Sequence, residues 1–166
     1  ANLAEIDPGG NWANRPHNSL VTILLPWLPQ TVADKNKRHA AVRSIAELHP
    51  KVGWKLILDL LPHRHAISSH THRPKWQDFI PEDWRNGVTN GDRWEDEGFY
   101  ADLALNLADN DPKKLGELLP FYFLIHPDYS TFSTDYRKRL VSEMLLSIQP
   151  EKRLWLWNLV TGKTSN

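Results

Sequence analysis

The chain has 166 residues, no cysteine, and twenty basic against twenty acidic residues, so its formal net charge is zero. That length suits one domain with a sizeable core, and the absence of cysteine excludes disulfides, thiolate metal sites and cysteine nucleophiles. Neutrality excludes bulk attraction to nucleic acid or anionic membrane, while 40% apolar and 24% charged residues fit a folded chain rather than a disordered one.

Residues 1–18 carry Asp7-Pro8-Gly9-Gly10 and little periodicity, so they are expected to form an irregular lead-in. They show no signal-peptide pattern, and no apolar run reaches the roughly 18 residues of a membrane span. Together with the missing cysteine, this points to a cytoplasmic protein with no membrane partner. Met144 is the only methionine, so a chain that starts at Ala1 is expected to be a segment of a longer protein.

A single α-helical domain is expected over residues 19–160. It begins with "SLVTILLPWLP", a short apolar helix that proline must stop near Pro26 and Pro29. Thr31-Val32-Ala33-Asp34 has the form of a capping box before "KNKRHAAVRSIAELH", whose Ala41, Val42, Ile45 and Leu48 share a helical face. Pro50 interrupts that helix and suits the first turn of the next. There Val52, Leu56, Ile57, Leu60 and Leu61 form the apolar stripe. Two helices with almost no loop between them make an αα-hairpin.

Residues 62–91 show no sustained period and contain Pro62, Pro74, Pro81, Asn86-Gly87 and Asn90-Gly91. They are expected to be one long irregular loop joining helical units 19–61 and 92–160. Asp92 with Glu95 marks the next helix start, and Glu95-Asp96-Glu97 place negative charge on its positive amino-terminal end. That helix is expected to bury Phe99, Leu103 and Leu107. Asp111-Pro112 caps a short helix toward Leu119. The aromatic stretch 120–132 has no clear period, Ser133 begins a further helix, Pro150 begins the last one, and residues 161–166 form a frayed tail.

Residues 38–50 and 138–150 superpose without a gap at an offset of 100, Ala41 on Val141, Ile45 on Leu145, Leu48 on Ile148 and Pro50 on Pro150. A repeated αα unit cannot bury its apolar face alone and must stack on a neighbour. The fold class expected is therefore all-α, with αα-hairpins in a short solenoid-like array of the HEAT or TPR kind. "DPGGNWANRPHNSLVTILLPWLPQT", "HPKVGWKLILDLLP" and "THRPKW" resemble a segment of very large, uncharacterised bacterial multidomain proteins, some of them similar to nucleotide-binding sensor proteins. The resemblance covers roughly residues 5–80. It implies a helical-repeat region and brings no catalytic residue with it. Gly162-Lys163-Thr164 lacks the upstream glycine of a phosphate-binding loop.

The chemistry-bearing stretch is "HRHAISSHTH", residues 63–72, with four of the eight histidines. His63, His65, His70 and His72 could ligate zinc, nickel or copper, with Asp59 or Asp78 adding a carboxylate. The segment lacks the apolar support a rigid metal site needs, so no metal or other cofactor is expected and the run is taken as a polar connection. Its exposed face is the candidate contact surface: His63, Arg64, His65, His70, His72, Arg73, Lys75, Trp76 and Trp84. Arginine beside tryptophan suits a protein interface, and it also suits stacking of bases in single-stranded nucleic acid. Ser68-Ser69-His70 is not a catalytic arrangement by adjacency alone, and no G-x-S-x-G, H-E-x-x-H or paired-carboxylate motif is present. The expected function is a non-catalytic interaction module that binds a protein partner or other domains of its parent chain. A nucleic-acid-contacting module and a histidine-centred metal-dependent hydrolase are the alternatives.

Overall fold

A computed structural model describes residues 1–10, 12, 14–63 and 88–147. All regular elements among them are helical: α1 (Asn2–Glu5), α2 (Pro16–Leu24), α3 (Lys35–Leu48), α4 (Pro50–Leu60), α5 (Asn90–Ala108), α6 (Pro112–Leu118) and α7 (Phe132–Ser147), with 3₁₀ turns at Leu119–Phe121 and Pro127–Tyr129. The chain is all-α over this extent. None of the described helices is long and apolar enough to cross a membrane.

Helix α4 is central. Its stripe reads as the sequence does, with Val52, Leu56, Ile57 and Leu60 buried in the helix and Leu61 just beyond it. Helices α2, α3 and α5 all pack against α4. Pro50 occupies the first turn of α4, where the missing amide costs nothing and φ is preset. One residue, His49, separates α3 from α4. The close approach of these two helices depends on Gly53, because a Cβ there would overlap the Ala46 backbone.

The core continues through Tyr100, Ala101, Ala104 and Leu105 of α5 to Leu115, Leu118, Phe132 and Tyr136. Tyr100 donates its hydroxyl to the Leu24 carbonyl and Tyr136 donates to the Leu115 carbonyl. Burial raises both phenols above their ordinary range, Tyr100 far above it. Gly98 lets α5 touch the turn at Pro127–Tyr129, since a Cβ there would overlap the Tyr129 carbonyl.

Several local expectations are corrected. Residues 1–18 hold α1 and the first turn of α2, which begins at Pro16 because proline preorganises that position. Thr31 does not cap α3. Its hydroxyl accepts from the Ala33 amide two residues on, and Asp34 is the cap, accepting from the Lys37 amide. The buried face of α3 runs through Arg38, Val42 and Ala46 rather than Ala41 and Leu48, and Leu48 is 72% exposed. Helix α5 starts at Asn90, with Thr89 and Asp92 forming the reciprocal capping box. Asp111 caps α6 as expected, accepting from the Lys113 and Lys114 amides. Helix α7 reaches Ser147, and residues 148–150 of the 138–150 match, with the helix expected after Pro150, lie outside the described residues.

Candidate ligand cleft

Two polar constellations among the described residues join elements distant in sequence. One lies between α3 and α5. Asp96, fully buried, accepts from Arg38 Nη2 at 2.5 Å and pairs with His39 Nε2 at 2.6 Å. The His39 ring stacks on Phe99 at 3.7 Å between centroids, and the Arg43 guanidinium lies over the Phe99 ring at 4.7 Å from its centroid. At the next residue, buried Glu97 accepts from Arg93 Nε at 2.7 Å. Burial pushes the Glu97 carboxyl above its ordinary value, and Arg93 only partly offsets this. Lys35 and Glu95 close the edge with an exposed ion pair. The Arg38, His39 and Lys35 pairs join α3 to α5 and fix how the two helices dock, while Arg93 and Glu97 pair within α5.

The second constellation surrounds an open cleft of about 680 Å³, bounded by the amino-terminal arm, α2 and the first two turns of α4. The arm is shaped locally. Gly9 and Gly10 take left-handed φ of 88° and 131°, and Arg15 reaches back to the Gly10 carbonyl at 2.8 Å and to Asp7 at 2.5 Å. That guanidinium holds the Asp7 carboxyl below its usual range, with help from the Gly9 amide and the charge of Lys55. His49 Nδ1 pairs with Glu5 at 2.8 Å and ties α1 to the α3–α4 junction. His17 Nε2 meets Asp59 of α4 at 2.6 Å, which joins α2 to α4. Lys51 and Lys55 line the same cleft one helical turn apart, are exposed, and enter no ion pair among the described residues. Trp12, 82% exposed, stands at its edge.

The sequence placed the contact surface elsewhere. Of its residues only His63 is described: it is exposed, just beyond α4, and meets the Phe121 ring edge-on at 5.4 Å. Arg64, His65, His70, His72, Arg73, Lys75, Trp76 and Trp84 lie outside the described residues, as does Asp78. Asp59, considered as a metal ligand, is engaged by His17. No group of three or more metal-binding side chains converges among the described residues. The cleft was missed because its acids and bases are paired over long separations, 42 residues for His17 and Asp59 and 44 for Glu5 and His49. One signal was available: Lys51 and Lys55 sit four apart on the face of α4 opposite its apolar stripe. Neither family models, nor curated proteins, nor solved structures yield a match to this chain.

Proposed function

We propose that this chain is a non-catalytic recognition module of a larger bacterial protein, binding a protein partner through the cleft between the amino-terminal arm and α4. The observation that carries this reading is the pairing within the cleft. Glu5, Asp7, Arg15 and His17, the carboxylates, guanidinium and imidazole that line the cleft, are each held in an internal ion pair. A catalytic acid or base must reach a substrate proton, and these groups reach one another. What remains toward solvent is shape, two cations and an indole, the ingredients of binding. The packing of the α3–α4 pair on α2 and α5 supports a solenoid-like array of helical pairs, which would extend such a binding face along the parent chain. A cytoplasmic setting suits a cysteine-free chain.

The test places a photo-crosslinking amino acid at Trp12 and, as a control, at exposed Lys113 on α6. Adducts formed in extract of the source cells are identified by mass spectrometry, and the interaction is rebuilt from purified components. The expected result is one protein adduct from position 12, competed by unlabelled domain, with no counterpart from position 113. Adducts from position 113 alone would place the binding face elsewhere.

A further inference from the structure

The cleft has an unbalanced charge, and that imbalance names the chemistry of its occupant; the inference rests on the recognition reading above. Asp7 is neutralised by Arg15, Glu5 faces His49, and Asp59 faces His17. Of the charged residues that line the cleft, Arg15, Lys51 and Lys55 are basic and Glu5 and Asp7 acidic, and no ion pair among the described residues engages Lys51 or Lys55. We propose that the cleft binds an acidic peptide segment of a protein partner, Lys51 and Lys55 pairing with two of its carboxylates and Trp12 covering an apolar side chain.

Spacing supports a peptide. Residues four apart on a helix stand about 6 Å from each other at their Cβ atoms. Residues two apart on an extended peptide lie about 6.6 Å apart on one face. Glutamates at alternate positions therefore match the two lysines without bending either chain. Apolar surface shares the cleft with the cations, since Trp12 lines it and is 82% exposed. An occupant with charge alone would leave this indole in water. Nucleic acid fits less well, because its affinity grows with the number of phosphates neutralised and only two cations here are uncommitted. The volume of about 680 Å³ exceeds what a single small anion fills.

The experiment uses a fluorescein-labelled peptide with the core Glu-Ser-Glu-Ser-Leu, titrated with the whole chain at low ionic strength and followed by fluorescence anisotropy. Saturable binding is expected, weakening about tenfold in the Lys51→Gln/Lys55→Gln variant and by a similar factor in Trp12→Ala. The core Lys-Ser-Lys-Ser-Leu should not bind. All three substituted side chains are exposed, and unchanged circular dichroism and melting of the variants confirm that only the surface has changed. Absence of saturable binding, equal affinity in the double lysine variant, or tighter lysine-dependent binding of an oligothymidylate would each overturn the proposal. If the peptide fails while the crosslink from position 12 succeeds, recognition at this cleft stands and the acidic-peptide chemistry falls.

Discussion

Replacing Asp96 by asparagine should be among the most destabilising single changes in this domain. The carboxylate is fully buried and is the counter-ion of Arg38, whose side chain is 9% exposed. Arg38 Nε already lacks a hydrogen-bond partner, so that end of the guanidinium has no reserve. Asparagine keeps the volume and still accepts one bond, but it leaves a buried positive charge uncompensated. Breaking a buried pair from one side costs about 3–5 kcal/mol, and the retained bond places this variant near the lower figure, about 3 kcal/mol. With a urea dependence of about 2 kcal/mol per molar, the unfolding midpoint should fall by about 1.5 M. The Arg38→Met/Asp96→Leu double variant removes both charges and should lose less than Asp96→Asn, because no unpaired charge remains. Urea titrations followed by circular dichroism measure all three proteins. A midpoint shift below about 0.3 M in Asp96→Asn, inside the error of such extrapolations, would refute the reasoning.

Other outcomes follow from the same packing. Gly98→Ala and Gly53→Ala drive a methyl into backbone, at Tyr129 and Ala46 respectively, and each should cost about 1–3 kcal/mol. Gly116→Ala meets nothing within 4 Å in α6 and should instead stabilise by up to about 1 kcal/mol; thermal melting that ranked the three alike would contradict the packing. Thr89→Ala removes half of the α5 capping box and should cost about 1 kcal/mol, measured by the same melts. The raised Glu97 carboxyl binds its proton more tightly in the folded chain than in the unfolded one. Its contribution is therefore fully present below its ordinary value of 4.5 and is lost as pH rises through the higher folded value. Between these values wild type should lose stability relative to Glu97→Gln as pH increases, and parallel stability curves for the two proteins would contradict this.

How far the sequence could be followed differs between helices for physical reasons. Helix α4 was legible because its stripe is large and aliphatic and has no competing charge, from Val52 to Leu61. Pro50 and Asp111 were legible because a proline at the first turn and an aspartate cap act locally. Helix α5 was misjudged. Phe99, Leu103 and Leu107 only flank the core, while Ala101, Ala104 and Ala108 fill it and Asp96 and Glu97 are buried as well. Alanine carries little hydrophobic signal, and a buried acid is betrayed only by its partner, which for Asp96 lies 58 residues away at Arg38. The helical face of α3 slipped for the same reason, since Arg38 takes an inward position that periodicity assigns to an apolar residue. The cleft was hidden by scale. Its walls come from an arm that looked irregular and a helix that looked merely structural, brought together by Glu5–His49 and His17–Asp59.

Nuclear magnetic resonance mapping of the Glu-Ser-Glu-Ser-Leu peptide on the isotope-labelled chain tests the central claim most directly. The cleft predicts that shifts concentrate on the Trp12 indole and on the amides of Glu5, Lys51, Val52 and Lys55, with Asp96 and its neighbours in α3 and α5 unmoved. Shifts centred on residues 62–91, or on the Arg38–Asp96 side of α3 and α5, would contradict it.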